Sequence, residues 1–411
     1  MGKESGRIAR GDGNPLSVKI VFFTHGGILY GANLSMIDLI VGLREKGVES
    51  MVIHAHSGPI EDRLRDLGIP SKCIPFEMCV HWRSDKPTWH PRRWVSEIAN
   101  SIRALRKERF NKRQLKELAV ATRAFGADVA VSNASGTVIG LEVAKQLGIP
   151  HVWHIREFGD LDWDYYPDGG MRRRREQILQ SAKVVCVSQA VADHFKKQCG
   201  ITDGRVVALH DSIASRDELS ARAQGAPVNT EKGPFTFAIT GFVKYSKGQF
   251  DAVSALRRVV DAGGDARLVV AGQGATEELK AHVQALGVAD RVEVLGHVSD
   301  LSEVYRRADC GLMCSVAEGF GRVTAEFMSW GKPVIGRNSG ATPEIVEDGV
   351  NGLLYDGSVS NLAEKMTLMA EDRDLGSRLG VRALEQAAQR FEHSVCATGF
   401  LQHTRGVTKA R

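Results

Sequence analysis

The stretch VKIVFFTHGGILYGANLSMIDLIVGLREK, residues 18–46, decides the fold class. Val18 to Thr24 is an unbroken apolar run, as a strand buried on both faces requires. Asn33 to Lys46 sets Leu34, Ile37, Leu39, Ile40 and Leu43 at helical spacing, and the loop HGGILYGA joins the two. Strand, glycine-rich loop and helix make up the repeating step of a parallel sheet with crossover helices. The same step predicts strands at Ser50 to His54, Asp128 to Ser132, His151 to His154 and Val184 to Val187. Between Ser212 and Pro234 the chain turns small and polar with two prolines, which reads as an interdomain linker. Strands resume at Phe235 to Thr240, Ala266 to Ala271, Arg291 to Leu295, Cys310 to Met313 and Pro333 to Gly336, with helices around Phe250 to Ala262, Glu277 to Leu286 and Arg322 to Trp330. Two doubly wound α/β domains follow, with the ligand expected in the cleft outside their strand carboxyl ends.

Composition narrows the class. The 411 residues carry 54 Lys and Arg against 49 Asp and Glu, with 43% apolar and 25% charged residues, which excludes disordered, collagenous and disulfide-miniprotein classes. No apolar run nears the ~18–20 residues of a membrane span. The start, MGKESGRIARGDGNP, has no signal-peptide core, and Gly6 stands where a myristoylation motif wants Ser or Thr. Seven scattered cysteines without a CxxC pair predict buried thiols in a reducing cytoplasm, with neither disulfide nor metal site. The first βα loop is not GxGxxG, and no acid ends the second strand, MVIHAH, so a nicotinamide cofactor is disfavoured. Gly27 of that loop either faces a ligand or only makes a tight turn.

The chemistry concentrates in SVAEGFGRVTAEFMSWGKPVIG, residues 315–336. The turn Gly319, Phe320, Gly321, Arg322 leads into a helix whose first N–H groups suit a phosphate. Glu318 and Glu326 flank that turn, and carboxylates beside a phosphate suit neutral ribose and sugar hydroxyls, which points to a nucleotide sugar. These residues, with Met328, Gly331, Pro333, Val334 and Ile335, resemble the E-x7-E signature of the family-four glycosyltransferases of the GT-B fold. LVVAGQG (268–274, with Gly272), RVEVLGHV (291–298) and GATPEIVEDGVNGLLY (340–355) resemble the same family in the same order.

The resemblance implies a GT-B fold, two Rossmann-like domains facing a central cleft, and retaining transfer from a nucleotide-diphosphate sugar with no cofactor and no metal. It implies that Glu326 holds the ribose and Glu318 the transferred sugar. The family's G-R…K-G phosphate pattern is matched by Lys247 and Gly248 in GFVKYSKGQ, but Phe242 replaces the arginine, and Lys244 or Arg322 is expected to stand in. In PHVWHIREFGD (150–160) the resemblance places His154 near the reacting carbon, with Arg156 and Glu157 as acceptor or phosphate contacts. The chain divides into an acceptor domain (1–220), a linker (221–234), a donor domain (235–390) and a C-terminal helix (391–411) crossing back. DLDWD (160–164) is discounted as a manganese motif, because it lies in the acceptor half.

The acceptor is a glycan, a lipid or a small molecule. Residues 83–123 hold 12 basic and 4 acidic side chains near Trp82, Trp89 and Trp94. They read either as a basic amphipathic surface for an anionic membrane, making the protein peripheral on the inner face, or as a helix packed through Ile98, Ile102, Leu105, Leu115 and Leu118. RKERFNKR and MRRRREQ come without a nucleic-acid recognition motif. Phe242 also leaves open a nucleotide-sugar-binding protein or epimerase of the same fold without transfer activity.

Overall fold

The computed structural model describes residues 18–82, 91–224 and 233–407. In the first half the elements run β1 (Lys19–Thr24), α1 (Gly31–Glu45), β2 (Glu49–His54), α2 (Pro59–Asp66), β3 (Ser71–Cys73), β4 (Val80–Trp82), α3 (Pro91–Phe125), β5 (Val129–Asn133), α4 (Ile139–Leu147), β6 (His151–Ile155), β7 (Tyr165–Pro167), α5 (Gly170–Gln180), β8 (Lys183–Cys186), α6 (Gln189–Cys199) and β9 (Val206–Ala208). Seven strands form a parallel sheet in the order β3-β2-β1-β5-β6-β8-β9, and β4 pairs with β7 antiparallel. The second half holds α7 (Arg216–Gln224), β10 (Phe235–Thr240), α8 (Gln249–Asp261), β11 (Ala266–Ala271), α9 (Thr276–Ala285), β12 (Val292–Gly296), α10 (Ser302–Arg307), β13 (Cys310–Met313), α11 (Arg322–Ser329), β14 (Val334–Arg337), α12 (Thr342–Ile345), β15 (Gly352–Tyr355), α13 (Val359–Glu371), α14 (Arg373–Arg390) and α15 (His393–His403). Its sheet runs β12-β11-β10-β13-β14-β15.

Both sheets reverse strand order beside their first strand, between β1 and β5 and between β10 and β13. At such a switch point the loops leaving adjacent strands part and open a crevice. The strands are buried on both faces as their unbroken apolar runs require, with β1 at Ile20 to Phe23 and β10 at Phe235, Phe237, Ala238 and Ile239. From α15, Cys396, Ala397 and Phe400 pack with Met36, Ile40 and Leu43 of α1, so the chain's last described helix lies on the N-terminal sheet.

The expected linker is shorter than 221–234. Residues 221–224 belong to α7, and 225–232 lie outside the described residues. The signal for α7 is a capping box, Ser-Arg-Asp-Glu. Ser215 Oγ accepts from Glu218 N at 3.2 Å, and Glu218 Oε2 accepts from Ser215 N at 2.7 Å.

The basic segment is one 35-residue helix, α3. Only its C-terminal half packs on the sheet, where Leu118 and Ala121 are buried. Ile98 (62% exposed), Ile102 and Leu105 do not pack, which corrects the reading that they join the core. Of the other aromatics expected beside it, Trp82 and Trp94 are exposed, and Trp89 lies outside the described residues.

Candidate active site

On the donor side, the loops leaving β10 and β11 touch backbone to backbone. A methyl group on Gly272 would lie 1.8 Å from the Gly241 carbonyl oxygen, and Val243 N donates to the Gln273 carbonyl at 2.8 Å. Gly272 is therefore explained by this close approach. Gly248 has φ +77°, and a methyl group there would sit 2.5 Å from the Cys314 carbonyl oxygen. That glycine lets the turn Tyr245–Lys247 settle against the exit of β13, where Val316 N donates to the Ser246 carbonyl at 2.9 Å. The turn carries Lys247 to Glu318, whose Oε2 accepts from Lys247 Nζ at 2.8 Å. Burial opposes the Lys247 charge, but Glu318 outweighs it and the pKa rises.

Gly321, at φ +85°, ends the turn and starts α11. The first-turn N–H groups of a helix have no carbonyl partner within it, so this end carries partial positive charge beside Lys247 and Glu318. Gly340, at φ +57°, brings the loop after β14 against the Glu318 backbone, and Ala341 N donates to the Glu318 carbonyl at 2.9 Å. Glu326, one turn into the helix, accepts from Tyr305 Oη at 2.6 Å and from Arg322 Nε at 2.8 Å. A carboxylate has about four acceptor positions, so capacity remains for hydroxyls.

Two residues of the motif do not stand where sequence reasoning put them. Arg322, expected at the phosphate, has its guanidinium on Asp38 at 2.6 Å and on the Ser212 carbonyl at 3.3 Å, both outside the donor sheet. Burial opposes its charge, but Asp38 and Glu326 overcome that and raise its pKa. Phe320 is buried in an aromatic cluster with His210 and Phe391, whose centroids each lie 5.7 Å away. Lys244 is half exposed and reaches Asp164 of the first half at 3.5 Å.

On the other side of the cleft, Gly27 fits because a methyl group there would lie 2.5 Å from the Ser57 carbonyl oxygen. His154 is buried. Its ring is enclosed, with Nδ1 3.1 Å from Arg156 Nη2 and Phe400 packed 5.9 Å away. Burial, then Arg156, holds its pKa well below the usual histidine range. Arg156 is also buried and donates to Asn133 and Asp211. Glu157 accepts from Ser135 N and Oγ, both at 2.7 Å, and from the Tyr165 hydroxyl. These side chains are tied into the scaffold, and it is the backbone at Arg156 that meets the donor half. A methyl group on Gly319 would lie 2.7 Å from the Arg156 carbonyl oxygen.

The three DLDWD carboxylates diverge. Asp160 accepts from His194, Asp164 pairs with Lys244, and Asp162 accepts from Phe158 N at 3.0 Å and Gly159 N at 2.8 Å. Burial, then Glu157, pushes the Asp162 carboxyl up to about 7, with a smaller contribution from Glu318.

Sequence reasoning missed the residues that join the halves. Glu344 accepts from Gln189 N and Ala190 N at the start of α6, and from His210 Nε2 at 3.0 Å. Burial opposes the Glu344 charge, but His210 and these N–H groups lower its pKa. Gln273 donates to Tyr30 Oη at 2.9 Å. At the junction of the halves His210, Asp211 and Ser212 hold Glu344, Arg156 and Arg322, pairings that no local sequence pattern announces.

The comparisons agree with this architecture. The chain is 34% identical over 178 residues to a GDP-mannose-dependent α-(1-6)-phosphatidylinositol monomannoside mannosyltransferase of Mycobacterium tuberculosis, covering 40% of this chain and 46% of that protein. It is 40% identical over 102 residues to a D-inositol 3-phosphate glycosyltransferase of Mycobacterium sp. strain KMS, 24% of this chain and 23% of that protein. The chain thus spans less than half the length of these curated relatives. The crystal structure of Anabaena HepE in complex with UDP superposes with a TM-score of 0.73 over 95% of this chain and all of that one, at 21% identity, which shows a shared fold. Residues 222–386 match the model of the glycosyl transferases group 1 and residues 29–213 that of glycosyltransferase family 4. With both halves of the fold matched, the chain belongs to the group 1 glycosyltransferases of family-four type.

Proposed function

We propose that this protein transfers a sugar from a nucleotide-diphosphate sugar to an acceptor hydroxyl. The observation that carries this is the Lys247–Glu318 pair, 2.8 Å apart at the α11 N-terminus, where the two halves meet at Gly319 and Arg156. The diphosphate takes Lys247, and Glu318, released from that contact, takes sugar hydroxyls. Glu326, already oriented by Tyr305 and Arg322, takes the ribose. As the anomeric bond breaks, charge develops on the leaving phosphate, and Lys247 with the α11 N–H groups stabilises it there.

We further propose retention by same-face attack, with the leaving phosphate accepting the acceptor's proton, and no metal in the step. The diphosphate arginine is replaced by Phe242, half exposed at 49%, so Lys247 and the helix end carry the phosphate charge. The acceptor we propose is lipid-borne. α3 supports this with an exposed apolar stripe, Trp94, Ile98, Ile102 and Leu105, followed along the same face by exposed Arg109, Lys112 and Lys116. One of the mycobacterial relatives is named for a phosphatidylinositol acceptor.

The test incubates UDP-, GDP- and ADP-sugars with an acceptor lipid extract, with and without EDTA, and reads the anomeric configuration of the product by NMR. A product keeping the donor's configuration, formed in EDTA, is expected. An inverted linkage would sink same-face attack, and turnover that is lost in EDTA and restored by Mg2+ or Mn2+ would sink the metal-free step. Donor binding without release in any extract would favour the binding-protein reading instead.

A further inference from the structure

The geometry points to a transition-metal site, suited to Zn2+, made by His54, Glu61 and Cys73 beside the transfer cleft. These residues stand 7 and 12 positions apart in the chain, so no spacing motif announces them. The fold brings them together, because β2 ends at His54, the neighbouring β3 ends at Cys73, and Glu61 lies in the first turn of α2 between those strands. His54 Nε2, a Glu61 carboxylate oxygen and Cys73 Sγ all lie within 4.8 Å of one another. The His54 to Glu61 separation is 3.7 Å, too long for a hydrogen bond and close to the spacing of two ligands on one tetrahedral ion.

Two further contacts fit a site rather than a chance cluster. His54 Nδ1 lies 3.1 Å from the His56 carbonyl. A carbonyl only accepts, so Nδ1 carries the proton, and in the neutral ring Nε2 presents a lone pair toward Glu61. Metal-bound histidines are usually oriented in this way. Ser57 Oγ donates to Cys73 Sγ at 3.5 Å, which orients the sulfur and suits a thiolate. An imidazole nitrogen, a carboxylate and a sulfur thus converge at the ends of β2 and β3.

The donor set favours Zn2+, since imidazole, thiolate and carboxylate are its common ligands, with water in the fourth position. Entry is open because Cys73 is exposed, unlike the other six cysteines. On binding, the Cys73 thiol gives its proton to solvent and sulfur donates a lone pair to the ion, so affinity rises with pH. The ion would fasten the three-residue edge strand β3, exposed along its length, to β2 and α2. It would thereby hold the His56 to Gly58 loop on which Gly27 rests. The transfer step does not pass through it.

The test titrates Co2+ and Zn2+ into the full chain after chelator treatment. About one equivalent is expected to bind, with a thiolate-to-cobalt charge-transfer band and a raised Tm. Cys73→Ser should abolish the band, and Glu61→Gln should weaken Co2+ binding by at least the ~10–100-fold that loss of an outer-shell partner costs. Both positions are on the surface side of the cluster, so both variants are expected to fold, with circular dichroism as the check. No charge-transfer band at saturating Co2+, or a band unchanged in Cys73→Ser, would overturn the site.

Discussion

Lys247 and Glu326 separate two kinds of work. Lys247→Ala removes a charge needed mainly as the bond breaks, so kcat should fall about 10²–10³-fold with a smaller change in KM. Glu326→Ala removes hydrogen bonds to a charged acceptor, each worth about 1.5–3 kcal/mol, so donor Kd should rise about 10–100-fold in calorimetry. Asp162 makes a pH prediction. Its carboxyl is pushed from 3.8 to about 7, so between those values the folded protein holds a proton that the unfolded chain has lost. Stability should therefore fall as pH rises from about 4 to about 7, and Asp162→Asn should flatten that fall in urea melts across pH. Lys247 and Glu318 were legible because each lies in its own short glycine-bounded motif, GFVKYSKGQ and SVAEGFG, although their meeting at 2.8 Å spans 71 positions. The burial of His154 was not legible, because a histidine in a strand reads the same whether its ring is open or enclosed. Only the packing of Phe400, some 250 residues onward, decides that.

Ten of the fifteen described strands, and helices such as α1, α8, α9 and α11, were readable because doubly buried strands and one-faced helices leave clear periods. The short edge strand β3, the β4 and β7 pair and the four-residue α12 carry too few residues for a period, and α7, whose one signal is its cap, was passed over as linker. In α3 the stripe Trp94, Ile98, Ile102 and Leu105 has the period of a core-facing helix, so sequence cannot say which half of α3 is free. The exposed half yields a test at the membrane. The protein should sediment with phosphatidylserine-containing vesicles at low salt and less so as salt rises, and replacing Ile98 and Ile102 with serine should reduce the bound fraction. No binding at low salt would remove the membrane from the proposal. Gly248 predicts a defect confined to one turn. Gly248→Ala meets both a left-handed backbone and the Cys314 carbonyl, so activity should fall with Lys247 displaced while α8 and the sheet survive in circular dichroism.

The two halves are joined by a few charged and aromatic contacts around a crevice that each sheet opens at its own switch point. That two sheets would face each other was legible in the sequence. The contacts that set them, Arg322 on Asp38, Glu344 on α6 and Gly319 on Arg156, join residues more than 150 positions apart, which no local pattern encodes. They give Arg322 a role in fixing the halves where a phosphate contact was expected. The proposed transfer site is formed by Lys247, Glu318 and the start of α11. Nucleotide release by the wild type and Lys247→Ala, measured over UDP-, GDP- and ADP-sugars with a lipid acceptor extract, tests this most directly. The wild type should release nucleotide from one donor class only when acceptor is present, with Lys247→Ala folded and about 10²–10³-fold slower. Equal rates in the two proteins would contradict it.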